Sequence, residues 1–522
     1  MSKKKKPQGR SGAPKNQSGV STATAASKAG KQTAVVETGI LDKTFHLQRN
    51  GTTARTEIIA GLTTFMTMAY IIALNPNLLT GFGSQGQDLW NGVFLATCIA
   101  SAIGTFCMAF LANKPFVMAP GMGLNSFFAT VTANIVVITG TTYLQSFRMA
   151  MCIIFIEGIV FIILSVFNIR QKIVDAIPLG VRLGIGPAIG LMLMNIGFGS
   201  NVSLYASEIV DGQEVSKGPF YAMRDFFGAL TASSAKDTLG SAYNEMVLSV
   251  LTMMVGLFLI VALAHKKIKG AVLYGMTASS CIYWAATAIA FHKNPFGSLR
   301  NASFLPPFRD MVDTTLFKLD FQGFANIGWF TVITLVITFC IIDMFDTIGT
   351  LVGTASRAKM LDEKGNMPQM KQALLSDAIG TVAGSLSGTS TVTTFVESAS
   401  GVEAGGRTGL TSLTAGFMFL LCMFIAPIAA IIPASATSAA LIYVGTLMFS
   451  NLKDIDFNDL SQIVPVAIMV LAMPISGSIG HGIGLALISY TVIKLCTGKH
   501  KDISPLTYFL SLLFLLKFFV AI

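Results

Sequence analysis

Apolar runs of membrane-spanning length recur along almost the whole of this chain, and few folds are open to a chain so built. A helix needs roughly 20 apolar residues to cross a bilayer. Runs of that order begin near Glu57 and continue, broken by short polar turns, to the C-terminus. Backbone in hydrocarbon must satisfy its own hydrogen bonds, so such runs imply helices. Of 522 residues, 52% are hydrophobic and 12% charged, with mean hydropathy +0.66, a balance that excludes an ordinary soluble domain. The formal charge of +10 sits at one end: residues 1–56 hold 11 Lys/Arg against 2 acids, the remainder 25 against 24. Nucleic-acid binding would rest on a tail alone, and no such partner is expected. The seven cysteines fall in or beside apolar runs with no CxxC pair. They read as small buried hydrophobes, with no disulfide framework, metal site or cofactor.

Residues 1–50 are basic and of low complexity, too polar to bury a core, and are expected to form a disordered cytoplasmic tail with weak attraction for anionic lipid. They lack the apolar segment of a signal peptide. Spans are expected at about 57–79, 89–111, 120–138, 147–167, 183–198, 246–264 and 270–291. A second set covers about 327–352, 373–386, the stretch around Glu397, 409–432, 438–452, 463–475 and 483–495. Polar loops occupy 199–242 and 292–324. An apolar tail, 503–522, carries Lys517 and is consistent with spanning or with lying along the interface. Lys114, Arg170, Lys172, Arg182, Lys266, Lys267, Lys269, Arg357, Lys359, Lys364, Lys371, Arg407, Lys499 and Lys501 fall in short loops that alternate with loops poor in Lys and Arg. That asymmetry predicts a multi-pass protein with a cytoplasmic N-terminus, and the plasma membrane is the expected location.

The halves also echo one another. Asn125 and Glu397 lie 272 residues apart, and the starts of the first and eighth spans 269 apart. The Gly-containing segment 189–192 resembles 444–448. Seven spans per half, an odd number, would invert one half relative to the other. The expected fold is therefore an all-α polytopic membrane protein of about fourteen transmembrane segments in a 7+7 inverted repeat, with the third and tenth segments broken. Transporters of this kind place their site at the repeat interface near the midplane.

Two stretches look like those breaks: Ala119-Pro120-Gly121-Met122-Gly123-Leu124-Asn125, and Phe395-Val396-Glu397-Ser398 with the glycines at 401–409. Gly121 and Gly123, next to Asn125, read as part of such a break, whereas Gly405 and Gly406 read as glycines that allow close helix packing. Intramembrane carboxylates are the sharper signal, because each costs a few kcal/mol and wants a partner or a task. Glu403 is four residues from Arg407 and is expected to pair with it; Asp377 is expected to cap a helix; Glu157 suits packing or function. Asp343 and Asp346 share a helix face, and two such neighbours rarely both ionise in a dry place, which suits a proton-coupled carrier. Glu397 can accept a fork of N–H donors, and Asn125 can donate and accept, so a neutral heteroaromatic ring fits. Phe127, Phe128 or Phe395 could stack on it or simply pack. Neither break carries a basic residue, which argues against an inorganic anion.

At Gly121-Met-Gly-Leu-Asn125-Ser-Phe-Phe128, Asp343-Met-Phe-Asp346-Thr-Ile-Gly-Thr350 and Thr394-Phe-Val-Glu397-Ser398-Ala-Ser-Gly401 the sequence resembles the AzgA-like purine permeases of the nucleobase–cation symporter group. The resemblance covers roughly 50–500. It implies the uracil-transporter fold, with extended stretches before the third and tenth half-helices. A core domain (51–182 and 326–433) would move against a gate domain (183–325 and 434–502), leaving 503–522 as a C-terminal segment. It implies roles for Asn125, Asp346 and Glu397; with Phe127, Thr350, Phe395 and Ser398 these make up the expected substrate site, and Asp343 and Asp346 are expected to couple protons. Thr350 stands where some relatives carry a histidine. The implied activity is import of guanine, hypoxanthine or adenine with a proton, sodium being the alternative ion, and a homodimer is compatible with the architecture. An anion carrier of the same fold, a non-transporting nucleobase sensor and a membrane enzyme are the rivals. The enzyme would need a catalytic constellation that the five scattered histidines do not make.

Overall fold

Once the apolar runs fold, the chain must find partners for the backbone groups at each helix break, and that need shapes the centre of the molecule. The computed structural model describes residues 39–81, 85–167, 170, 177–199, 207–210, 213–216, 241–362, 367–476 and 478–520. Residues 1–38 of the expected tail, Lys172, Lys364 and most of the 199–242 loop lie outside the described residues.

The first expected span is two helices, α2 (Ala54–Met68) and α3 (Ile71–Leu79), joined at Ala69–Tyr70. Before them, α1 (Ile40–Phe45) falls within the region assigned to the tail. It buries Phe45 and Leu47 against Ala109 and Leu410, so ordered packing begins earlier than the composition suggests. Next come α4 (Gln87–Cys107), which runs on into a π-helical turn at Met108–Ala112, α5 (Met122–Thr139), α6 (Tyr143–Val166) and α7 (Leu179–Gly199). Then follow α8 (Ser241–His265) and α9 (Ala271–Phe291). The 292–324 loop contains two short helices, α10 (Phe308–Thr314) and α11 (Phe321–Phe324), anchored by buried Met311 and Phe324. The second half holds α12 (Trp329–Arg357), α13 (Met370–Ser387), α14 (Ser398–Glu403), α15 (Gly409–Cys422), α16 (Ala426–Ala430), α17 (Ala434–Met448), α18 (Leu460–Ser476), α19 (Ile479–Cys496) and α20 (Pro505–Val520).

Among the described residues, ten helical stretches are long and apolar enough to cross a membrane, counting α2–α3 as one and α15–α16 as one. Helices α17, α18 and α20 are shorter apolar helices; α13 and the six-residue α14 belong to neither group.

The chain is mostly helical rather than all-α. Strand β1 (Met118–Pro120) pairs antiparallel with β4 (Val392–Thr394), in register Met118↔Thr394, Ala119↔Thr393 and Pro120↔Val392. A second pair, β2 (Ser207–Val210) and β3 (Gln213–Ser216), lies in the long loop. The central ladder corrects the all-helical expectation for a physical reason. A residue preceding proline is driven out of the α region, and the β-branched run Thr391–Thr394 favours extended backbone. Two interrupted segments can satisfy each other's peptide groups inside the protein.

Helices α2, α4, α6, α13 and α15 pack among themselves around this ladder, and α7, α8, α9, α17, α18 and α19 form a second packed group. Close approach within each group depends on small residues. Gly104 of α4 and Gly380 of α13 face each other: a Cβ on either would stand 3.4 and 3.2 Å from the other's Cα, and 3.1 Å from the Val392 side chain.

Candidate substrate site at the paired strands

The ladder ends where two helices begin. Beyond its three residue pairs, Gly121 N donates to Thr391 O (3.0 Å) at one end and Phe395 N donates to Val117 O (3.1 Å) at the other. Helix α5 leaves from the first end and α14 from the second. Ser398 closes the second end by accepting from Val117 N at 2.9 Å through its hydroxyl. Ser398 is thus buried and engaged with backbone.

Glu397 sits at the junction of β4 and α14 and is half-buried. Tyr70, at the break between α2 and α3, donates its hydroxyl to Glu397 Oε1 at 2.7 Å. The carboxylate also meets the backbone N–H of Glu397 itself, and no other residue's side chain donates to it among the described residues. Nearby, Thr67 and Ser400 join their hydroxyls at 3.0 Å. Next to Glu397, Val396 is exposed while Phe395 is buried.

Asp346, on α12, is also half-buried and makes no hydrogen bond among the described residues. It lies beside the start of α5: a Cβ added at Gly121 would stand 3.5 Å from Asp346 Oδ2 and 2.6 Å from the Thr393 methyl. The free amides of a helix N-terminus favour a carboxylate there. Going along α12 from Asp346, Gly349 and Gly353 have open space where a Cβ would be, whereas Thr350 is buried on the neighbouring face.

Asn125 is fully buried in the second turn of α5. Its Nδ2 donates to Pro120 O at 3.2 Å, and its Oδ1 accepts from the Ser390 hydroxyl. Phe127 is buried with its ring centroid 4.6 Å from Phe339, and Phe128 packs edge-on against Phe147. Both phenylalanines therefore contribute to the core in this structure.

A buried charged cluster stands behind the ladder. Arg170, expected in a cytoplasmic loop, is completely enclosed. Its Nη2 meets Asp377 at 2.7 Å and Asp343 at 3.1 Å, Nη1 donates to Leu374 O at 3.3 Å, and the guanidinium lies 3.9 Å from the Phe161 ring centroid. The Thr347 hydroxyl is 2.9 Å from one oxygen of each aspartate and 2.7 Å from the Thr393 hydroxyl on β4. Thr391, the residue before β4, donates to Glu157 Oε2 at 2.8 Å, which ties the entry to that strand to α6.

Three sequence expectations are corrected here. Asp377 lies in the middle of α13 and pairs with Arg170, because a mid-helix aspartate has no orphan amide to cap. Arg407 donates to the carbonyls of Val402 and Gly406, both at 2.7 Å, rather than pairing with Glu403, which is exposed. Glu57, read only as a span edge, is buried and accepts from Arg407 N, Thr408 N, Thr411 N and the Thr411 hydroxyl, so it caps the start of α15. Sequence reasoning also missed Tyr70. A tyrosine inside an apolar span was the available signal, since a buried hydroxyl wants a partner.

The family model described as a permease family, that of the xanthine/uracil permeases, matches residues 55–224 and 221–479. The chain is 38% identical to the adenine permease AdeP of Escherichia coli, over 92% of this chain and 96% of that protein. It is 35% identical to the guanine/hypoxanthine permease PbuO of Bacillus subtilis, over 91% of this chain and all of that one. Among solved structures it resembles the transmembrane domain of the cyanobacterial bicarbonate transporter BicA, at TM-score 0.57, 16% identity and 84% and 98% coverage. Murine Solute Carrier 26 family member A9, an anion transporter, gives TM-score 0.58 at 12% identity, covering 85% of this chain and 68% of that one. At such identities those two likenesses concern the fold alone. The chain is a multi-pass membrane transporter and no enzyme, and it belongs to the xanthine/uracil permease family.

Proposed function

We propose that this chain imports purine nucleobases (guanine, hypoxanthine or adenine) by proton symport through alternating access across the plasma membrane, with its N-terminus cytoplasmic. The observation that carries the reading is Glu397, half-buried at a strand–helix junction, with Tyr70 the one side chain that donates to its carboxylate among the described residues. A carboxylate so held can accept a ring N–H and an exocyclic amino group of a purine, a charge-assisted pair stronger than neutral hydrogen bonds. Several relatives carry the names of adenine or guanine/hypoxanthine permeases.

In this reading the two strand–helix units are the broken third and tenth segments of a 7+7 inverted repeat. The antiparallel β1–β4 ladder and the mutual approach of Gly104 and Gly380 are what a two-fold relation between halves would produce. The two packed helix groups correspond to the core (51–182 and 326–433) and gate (183–325 and 434–502) domains. Glu397 and Asp346 would face the substrate, with Asn125, Phe127, Thr350, Phe395 and Ser398 shaping the site from behind. The coupled proton would be carried at Asp346 and Asp343. Thr347 has a single hydroxyl proton to offer Asp343 and Asp377, and one guanidinium faces both carboxylates, so a proton shared within that group keeps it near neutrality. An anion carrier would want a free cation at the helix starts, where two carboxylates stand instead.

Uptake of radiolabelled hypoxanthine, guanine and adenine in a purine-transport-null cell tests this. Wild type should accumulate at least one base, collapse with a protonophore and ignore replacement of sodium by choline. Glu397→Gln should lose uptake. Full activity in Glu397→Gln would remove the site assignment, and uptake of bicarbonate, sulfate or chloride without purine uptake would remove the function.

A further inference from the structure

The C-terminal helix carries a buried cation that nucleobase transport does not use. Lys517 lies in the last turn of α20 and is only 8% exposed. Among the described residues its ammonium has neither a hydrogen bond nor an ion pair. Helix α20 packs on α19 and α12, burying Leu510 and Phe514, and the ammonium reaches inward to the start of α19. A Cβ added at Gly480 would stand 3.4 Å from Lys517 Nζ and 3.1 Å from the Thr338 methyl.

That position is electrostatically unfavourable as it stands. The N-terminus of an 18-residue helix carries a partial positive charge, and a lysine placed against it repels it. A lysine serving only the C-terminal dipole of its own helix could remain in water. At α19 the Ser478 hydroxyl accepts from His481 N at 3.4 Å, which leaves the amides of Ile479 and Gly480 as first-turn donors without partners among the described residues. The half-buried His481 ring stands 5.5 Å from Phe518, on the α20 side of the helix. An ammonium, two amides and an imidazole thus converge beside one neutral hydroxyl, that of Thr338, whose oxygen lies 3.5 Å from the same Cβ position, and no carboxylate among the described residues pairs with the ammonium, a set suited to an anion.

We propose that Lys517 and the α19 N-terminus bind a phosphate group, supplied by the headgroup of an anionic phospholipid. Lys517 is three residues from the end of its helix, and lysines near a membrane surface attract anionic headgroups. Helix α20 exposes Phe509, Leu512, Leu516 and Phe519, a surface suited to the acyl chains of the same lipid. Gly480 keeps the cradle open, since a side chain there would enter it.

The test uses the purified full chain in detergent, read by native mass spectrometry and thermal melting. The probes are phosphatidylglycerol, phosphatidylcholine of the same acyl composition, and inorganic phosphate. Wild type and Lys517→Arg should retain phosphatidylglycerol and melt higher in its presence. Lys517→Met, which keeps the apolar stem, should show at least fivefold lower occupancy and no rise. Phosphatidylcholine should bind all three alike. A rise with inorganic phosphate that also requires Lys517 would assign the site to the free anion as well. If Lys517→Met does not fold, Gly480→Ala gives the same reading by filling the cradle with the lysine intact. Equal phosphatidylglycerol occupancy in wild type and the folded variants would overturn the proposal. Hypoxanthine uptake per folded Lys517→Met molecule should match wild type, which keeps this outcome separate from the transport assignment.

Discussion

Gly190 of α7 and Gly445 of α17 meet reciprocally: a Cβ on either would lie 2.5 Å from the carbonyl oxygen of the other. The obstacle on each side is backbone, which cannot rotate away as a side chain could. The two glycines lie in the segments 189–192 and 444–448, whose sequences echo one another across the halves. A crossing in which each partner presents the same group to the other is what a local two-fold relation requires.

Alanine at either position should therefore destabilise the protein despite its better helix propensity. The propensity gain is about 1 kcal/mol, while overpacking costs about 1–3 kcal/mol and more where backbone must move. Gly190→Ala and Gly445→Ala should lower the melting temperature in detergent. Gly349→Ala, where no atom lies within 4 Å of the new methyl, should raise it or leave it unchanged. A uniform response of the three variants would show that the crossing is not tightly packed.

Tyr70→Phe removes the one hydroxyl that holds Glu397. A single hydrogen bond to a charged group contributes about 1.5–3 kcal/mol, so KM for the transported base should rise roughly tenfold or more while the variant still folds. Combined with Glu397→Gln, the second change should add little, because both act through one interaction. Additive losses in base binding to the purified variants, read by calorimetry, would place Tyr70 outside the substrate site.

Asp346→Asn should separate binding from coupling. If the proton loads at this carboxyl, the variant should still exchange labelled for unlabelled base across the membrane yet fail to concentrate it. In wild type, uptake should fall as external pH rises, because the protonated carrier is the loading form. Protonophore-sensitive accumulation in Asp346→Asn equal to wild type would assign coupling elsewhere.

The sequence shows where apolar helices form, because apolar length and hydrogen-bond necessity act locally, and ten such stretches among the described residues are long and apolar enough to cross a membrane. It also marks the two breaks, since Pro120, Gly121 and the threonines at 391–394 are poor helix formers wherever they sit. Partnerships across long sequence distances are another matter. Arg170 looked like a loop residue because its two aspartates lie more than 170 positions away, and Glu57 looked like a span edge because the helix it caps begins some 350 residues later. Phe127 looked free to stack until Phe339 occupied its face. Charge and aromatic type can be read from the chain, but the neighbour that satisfies them is set by the fold.

The Arg170 cluster offers the sharpest test of that neighbourhood. Arg170→Met would leave Asp343 and Asp377 facing one another in a dry interior, and breaking a buried pair in this way costs about 3–5 kcal/mol. The single variant should express poorly and elute as aggregate. The triple variant Arg170→Met, Asp343→Asn, Asp377→Asn carries no charge to strand, and it should recover a monodisperse peak with a melting temperature near wild type. Coupling should remain impaired in the triple variant, because Asp343 can no longer carry a proton while Thr347 still links the group to β4 through Thr393. Recovery of both folding and protonophore-sensitive uptake would assign the cluster a structural role only; recovery of neither would mean that charge balance is not what holds α12 and α13 together.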